Sequence, residues 1–337
     1  MNKKKILITG ASGFIGSSTV DKALALGYET WAGIRQSSIR EFLQDERIRF
    51  IDLNYADKTK LKSQLLDFVN KNGYFDVIVH IAGLTKAVRK ADFDKVNDEY
   101  TRNFVDALIE INAVPASFIF MSTLGVMGVG DEINYTPLPS NHIPNPNTAY
   151  GKSKLKAENY LKNLGGFPYV ILRPTGVYGA RDKDYLILMR AVQNGFDIGV
   201  GFRKQLLTFI YIDDLVKIIF SCIDKNIYRK EYYVADGDVY TDVEFNTIVR
   251  QTVQRKHVVR LKIPLWIVKF AAFINEKICG LLGKATAFNT DKYQIMKQRN
   301  WSCDVSSLKT DLDFQPDFRL KEGIEKTVEW YKENGWL

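Results

Sequence analysis

The chain has 337 residues, 46% hydrophobic and 26% charged, with a net charge of +8. That length and balance allow one or two globular domains and exclude a disordered or fibrous chain. The basic residues are scattered without a nucleic-acid motif, Cys222, Cys279 and Cys303 stand far apart, and only three histidines occur, so no nucleic acid, disulfide framework or metal is expected.

Met1-Asn2-Lys3-Lys4-Lys5 leads straight into a short strand and not into an apolar leader, so the cytoplasm is the expected location. Lys5–Thr9 is an apolar run with no helical period. Gly10, Gly13 and Gly16 follow, and apolar and small residues from Phe14 onward then recur at helical spacing until Gly27. Strand, glycine turn and helix present free backbone N–H groups and a positive helix end to a pyrophosphate. Gly10 permits the tight turn, Gly13 the approach of the phosphates, and Gly16 the packing of helix on strand. The spacing G-x-x-G-x-x-G departs from the general G-x-G-x-x-G fingerprint, so the reading rests on the β-α-β context.

Residues 28–34 form a second strand that ends at Arg35, about twenty residues past the glycines, where a dinucleotide fold chooses between NAD and NADP. A carboxylate there would hold the ribose 2′-OH of NAD. Arg35, with Ser37, Ser38 and Arg40 behind it, suits a 2′-phosphate, so NADP(H) is expected ahead of NAD(H). A surface arginine at a strand end is the plain alternative.

Residues 48–51 are the third strand, with Asp52-Leu53 at its end. Residues 76–83 are the fourth, closing in the small-residue turn Ile81-Ala82-Gly83 beside the dinucleotide. Residues 94–111 are expected as one helix, with Asn97 set to position that turn or a water. Ser117–Met121 is the fifth strand and runs into Ser122-Thr123. A proline-rich loop leads to Asn147-Thr148, which cap a helix bearing Tyr150, Lys154 and Glu158 along one side. Strands follow at 169–172, 208–212 and 231–235, and Asp213-Asp214 are expected as the N-cap and first-turn charge of another helix. The alternation predicts an α/β fold: a Rossmann-type doubly wound parallel sheet over residues 1–180, with 213–238 returning to it. A smaller, mainly C-terminal substrate-binding region is expected from 181–212 and 239–337.

Tyr150 and Lys154 are four apart, so their side chains share one helical face. A phenol with a pKa near 10 is a poor base at neutral pH. A lysine ammonium one turn away, together with an oxidised nicotinamide, favours the phenolate, and the same lysine can hold the nicotinamide ribose. Thr123 leaves its strand toward the same C-terminal edge and can polarise a carbonyl or hold an alcohol. Y-x-x-x-K alone occurs by chance in many helices; the glycine turn and the strand-end Thr123 make the set a candidate active site.

With these residues in hand, the chain resembles the extended short-chain dehydrogenase/reductases, the group of nucleotide-sugar epimerases, dihydroflavonol reductases and 3β-hydroxysteroid dehydrogenases. Gly10, Ser12, Gly13, Phe14, Ile15 and Gly16 resemble its cofactor turn, Asp52-Leu53 its adenine contact, and Ile81, Ala82, Gly83 and Asn97 the turn and helix beside the cofactor. Thr123, Tyr150 and Lys154 fall where the family has its catalytic triad, and Pro174, Thr175 and Val177 on the strand and loop that close over the nicotinamide. The resemblance also implies a homodimer formed through the helices around 94–111 and 148–163. Three departures separate it from the sugar-nucleotide branch. Pro174-Thr175-Gly176 lacks the branch's asparagine, Gln205 to Thr208 lack its arginine, and Val126-Met127-Gly128 lack its tyrosine. Each removes a polar contact to a nucleoside diphosphate.

The stretch 264–282 is apolar, rich in Trp and Phe, and interrupted by Lys269 and Asn275-Glu276-Lys277, too broken for a membrane span. It is expected to line a lipophilic pocket, to pack in the second region's core, or to touch a bilayer peripherally. His142 and His257 are expected at the surface, Cys279 in the core, and His80 as a shaper of its turn. Together these readings predict an NADP(H)-dependent oxidoreductase interconverting a ketone and a secondary alcohol on a small, lipid-like substrate. The alternatives are a nucleotide-sugar epimerase or dehydratase with tightly bound NAD and, more remotely, a non-catalytic NADP-binding scaffold.

Overall fold

The computed structural model describes residues 3–337; Met1 and Asn2, the expected lead-in to the first strand, lie outside the described residues. Strands and helices alternate first through β1 (Lys5–Thr9), α1 (Phe14–Ala25), β2 (Glu29–Gly33), β3 (Arg49–Ile51), α2 (Lys58–Asn72) and β4 (Val77–His80). Then come α3 (Ala91–Phe93), a π-helical turn (Asp94–Glu99), α4 (Tyr100–Glu110), β5 (Ser117–Met121), a 3₁₀ turn (Leu124–Val126), α5 (Ala149–Asn163) and β6 (Tyr169–Pro174). The chain continues through β7 (Gly176–Tyr178), α6 (Asp184–Gln193), β8 (Phe196–Val200), β9 (Leu206–Leu207), β10 (Phe209–Tyr211), α7 (Ile212–Asp224) and β11 (Lys230–Val234). It closes with β12 (Tyr240–Thr241), α8 (Asp242–Thr252), β13 (Val259–Ile263), α9 (Leu265–Leu281), α10 (Thr290–Lys297), α11 (Ser306–Leu312) and α12 (Leu320–Glu333).

The central sheet has seven parallel strands in the order β11-β6-β5-β4-β1-β2-β3. Successive side chains of a strand point to opposite faces, and here both faces are buried. Ile6, Ile8, Val77, Val79, Ile119 and Met121 pack with α1 and α7, whereas Leu7, Ile78, Phe118 and Phe120 pack with α2, α4 and α5. This is the Rossmann-type doubly wound α/β fold, and its strand order reverses at β1, between β2 and β4. Ligands of such sheets lie at the C-terminal strand ends beside that reversal.

Three local expectations need correction. The helix expected over 94–111 is interrupted by the π turn, which carries Asn97. Asp213 is not an N-cap, because α7 already starts at Ile212; Asp214 instead accepts the backbone N–H groups of Asp317 (2.9 Å) and Phe318 (3.0 Å) and ties α7 to the C-terminal segment. Cys279 is only half-buried on α9, since that helix meets the rest of the chain along a narrow stripe. Among the described residues no helix is long and apolar enough to cross a membrane, and no cluster of His, Cys, Asp or Glu could hold a metal ion.

Candidate active site

The glycine turn is dictated by sterics. Gly10 has φ +66°, and a Cβ there would lie 2.9 Å from the Ala82 nitrogen; at Gly16 it would lie 2.2 Å from the Gly10 carbonyl oxygen. Neither position admits a larger residue unless the backbone moves. Gly13 is the exposed N-cap of α1, and no side chain caps that helix, so its start is left to a ligand. Ser12, Phe14 and Ile15 are half-buried around the turn. Arg35 is exposed in the turn after β2, where its N–H donates to Ser38 Oγ at 3.0 Å, and Asp52 is exposed after β3 while Leu53 is buried in the core. An uncapped helix start, a glycine cradle and polar groups at neighbouring strand ends fit a dinucleotide.

The turn after β4 hangs on a buried relay. Thr9 Oγ1 accepts the N–H groups of Ile81 and Ala82, both at 3.1 Å, so its own proton goes to His80 Nδ1 at 2.9 Å. His80 therefore donates from Nε2 to Thr101 Oγ1 (3.1 Å), which donates to the Asn97 carbonyl (2.9 Å). Burial, with a smaller contribution from the Lys154 charge, lowers the His80 pKa to about 3, so the ring stays neutral and structural. Asn97 pairs with both backbone groups of Leu84, accepting its N–H at 2.7 Å and donating to its carbonyl at 3.1 Å, and it donates to Ser153 Oγ at 3.0 Å. It positions the turn directly. A Cβ at the exposed Gly83 would meet Asn97 Oδ1 at 2.8 Å and Lys154 Nζ at 3.1 Å, so a larger residue there would have to push these two side chains aside.

Thr123 and the Tyr150/Lys154 pair come from two elements, the 3₁₀ turn after β5 and α5. Thr148 caps α5 by accepting the Gly151 N–H, and Thr123 caps the 3₁₀ turn by accepting the Gly125 N–H. A Cβ at Gly151 would lie 2.7 Å from the Gly125 carbonyl oxygen, so the absence of a side chain beside Tyr150 lets α5 press against the turn behind Thr123. Lys154 Nζ donates to the Met121 carbonyl at 2.9 Å, two residues before Thr123, and stands 4.8 Å from the centre of the Phe120 ring. Burial brings the Lys154 pKa down to about 8 against the pull of Glu158. Burial also pushes the Tyr150 phenol up to about 12. Burial alone sets the direction of this shift, with Lys154 Nζ turned to Met121; the expected acidification is that of the lysine together with an oxidised nicotinamide.

Several supporting contacts reach the site from elsewhere in the chain. Asp291 of α10 accepts the N–H groups of Ala149 (2.7 Å) and Tyr150 (3.3 Å), a carboxylate at the positive end of the helix that bears the tyrosine. Ser153 Oγ donates to the Tyr150 carbonyl at 2.8 Å. Beneath Lys154, buried Glu158 accepts from Ser122 and from Arg173, whose Nη2 reaches it at 2.6 Å and also binds Glu231. Burial opposes the Arg173 charge, but the hydrogen bonds and charges of its two carboxylates prevail and raise its pKa. A cavity of about 670 Å³ adjoins these segments without including the triad; it is lined by Met127, Val129, His142, Ile143 and residues 144–147.

The departures from the sugar-nucleotide branch are closed by the chain itself. Gln205 Nε2 donates to the carbonyls of Met296 (2.7 Å) and Gln298 (2.8 Å), and Thr175 Oγ1 donates to the Val234 carbonyl (3.2 Å). Met127 is buried. Pro174 is buried and Val177 half-buried at the strand end beside them.

Residues 6–235 match the model of the NAD dependent epimerase/dehydratase family. The chain belongs to that family. It is accordingly an enzyme of the extended short-chain dehydrogenase/reductase type. It is 25% identical to a putative UDP-glucose 4-epimerase of Methanocaldococcus jannaschii, over 98% of this chain and 99% of that protein. It is 23% identical to the ceramide reductase of Caulobacter vibrioides, over 98% of this chain and 96% of that one. Its fold superimposes on the UDP-glucose 4-epimerase of Thermotoga maritima, solved with UDP-glucose, with a TM-score of 0.78, 21% identity and coverage of 98% and 99% of the two chains. Nucleotide-sugar enzymes predominate among such relatives, and they favour the epimerase or dehydratase alternative over a ketone reductase acting on a lipophilic substrate.

Proposed function

We propose that this enzyme interconverts a ketone and a secondary alcohol on a lipophilic substrate. The observation that carries the reading is the closed state of the three departures: Gln205 and Thr175 spend their polar groups on the chain, and Met127 is buried. A diphosphate held there would need donors that these positions do not offer. The likeness to a ceramide reductase over 98% of the chain supports the same reading.

The glycine turn, Asp52 and residues 81–83 would hold the dinucleotide, which supplies the hydride when bound. NAD(H) follows from the family, and a preference for NADP(H) rests on exposed Arg35 alone. In reduction Tyr150 gives its hydroxyl proton to the substrate oxygen, Thr123 orients that oxygen, and the Lys154 ammonium holds the ribose and balances the phenolate that remains. In oxidation the same groups work in reverse.

The second reading is a nucleotide-sugar epimerase or dehydratase that retains its NAD, and the named relatives from Methanocaldococcus and Thermotoga favour it. Assays of NADH and NADPH consumption with detergent-dispersed long-chain ketones and ketosteroids, beside UDP-glucose and dTDP-glucose conversion, separate the two. Net consumption of reduced dinucleotide with a ketone supports the first. Sugar conversion without net consumption supports the second.

A further inference from the structure

We infer that this enzyme docks on an anionic lipid surface through α9 and the adjoining β8–β13 ribbon. A surface helix ordinarily buries its apolar face and shows its polar one. Here α9 is turned the other way. Only Val268 and Ala272 are buried, while Asn275, Glu276 and Cys279, on the same side of the helix, are half-buried. Asn275 donates to Thr286 and to the Phe288 carbonyl, and Glu276 accepts the Thr290 N–H, so this stripe is where α9 meets the chain. At 100° per residue, Trp266, Phe270, Phe273, Ile274, Ile278 and Leu281 fall on the opposite arc. All six are exposed, Trp266 at 70% and Leu281 at 90%.

The ribbon repeats the inversion. β8 and β13 run parallel, with Phe196 beside Val259, Asp197 beside Arg260 and Ile198 beside Leu261. Asp197 and Arg260 are held against the α8 side, where Asn246 reaches Asp197 and Arg260 donates to Asp242 at 2.7 Å. Side chains of a strand alternate, so the other face carries Phe196, Ile198, Val259 and Leu261, all exposed. Pro264 alone joins β13 to α9. Two neighbouring elements therefore leave apolar faces with no partner among the described residues, an arrangement that marks an interaction surface.

Charge selects the occupant. From residue 255 to 284 the exposed charges are Arg255, Lys256, Lys262, Lys269, Lys277 and Lys284; Glu276 is the only acid, and it is taken up by Thr290. A second copy meeting this face through a two-fold axis would set these cations against themselves. An anionic headgroup layer complements them, and Lys277, over the Phe273 ring at 5.6 Å, can run its stem along the apolar arc with its charge at headgroup level. With 17 residues α9 lies on the bilayer and not across it. Docking deepens the lipophilic-substrate reading, on which its purpose rests, by placing the enzyme where such a substrate resides.

The test is co-sedimentation of the full chain with phosphatidylcholine vesicles, with and without phosphatidylglycerol, for wild type, W266S/F270S and K269E/K277E. Wild type should bind the anionic vesicles at low salt, with a blue shift of tryptophan emission. W266S/F270S should weaken that binding by about tenfold or more, and K269E/K277E should abolish the preference for phosphatidylglycerol. Failure of wild type to bind either vesicle, or undiminished binding by W266S/F270S, would overturn the proposal. So would a dimer in sedimentation velocity that W266S/F270S dissociates while no vesicle is bound. Turnover of a detergent-dispersed ketone is read separately, so docking and reductase activity can fail independently.

Discussion

The sheet's catalytic edge and the α9 region treat polar and apolar groups in opposite ways. At the edge, costly groups lie inside in paired networks: Thr9, His80 and Thr101 form one chain, and Glu158 and Arg173 another. At α9 and its ribbon, aromatic and aliphatic groups lie outside and the charged pair Asp197–Arg260 is half-buried against α8. Buried polar networks hold geometry at a stability cost and are kept where geometry matters. Exposed apolar faces add nothing to folding and point to something outside the chain. On the proposals above, the first region positions a reaction and the second meets a lipid surface.

Four outcomes test that contrast. Tyr150→Phe keeps the ring and removes the proton, so kcat should fall by about 10²–10⁴-fold in steady-state assays while dinucleotide binding, read by nicotinamide fluorescence, persists. A loss of both together would make Tyr150 a structural group. Glu158→Ala strands the buried Arg173 with only Glu231 and should cost about 3–5 kcal/mol in urea unfolding. A loss under about 1 kcal/mol, the value of an exposed pair, would mean that the network is wet and loosely held.

Acid should act through His80. Its folded pKa near 3 lies below its unfolded value, so the unfolded chain takes up the proton first. Stability falls as the pH drops through about 6.5 and goes on falling toward 3; between pH 7 and 5 this residue accounts for a loss of about 2 kcal/mol. Urea melts of wild type and His80→Gln should therefore converge as the pH is lowered over that range, and parallel curves would remove the assignment. The smallest effect belongs to the other region: W266S/F270S should unfold within about 0.5 kcal/mol of wild type, since neither ring is buried. A large loss would place α9 in the core.

The two regions also differ in how well their sequences announce them. The glycine turn is legible because positive φ and close backbone approach leave glycine as the tolerated residue, and Tyr150 and Lys154 because helical spacing sets them on one face. Strand positions follow from apolar runs buried on both sides. Asp291 could not be read, since it reaches the α5 start from 142 residues downstream of Ala149. The π turn at Asn97 is equally hidden, because one extra residue in a helix leaves no mark in local propensity. For α9 the period and composition were plain, but they do not say which side the chain covers. The burial that raises the Tyr150 phenol is not legible either, because desolvation depends on neighbours that spacing does not name.

We propose that the site reduces or oxidises a lipophilic carbonyl, against the nucleotide-sugar reading that most named relatives favour. The most direct measurement follows NADPH and NADH fluorescence with dispersed long-chain ketones, alongside UDP-glucose conversion by the same preparation. The account predicts steady dinucleotide consumption with a ketone and an unchanged sugar. Epimerised UDP-glucose with no net consumption, and a dinucleotide released only on denaturation, would contradict it.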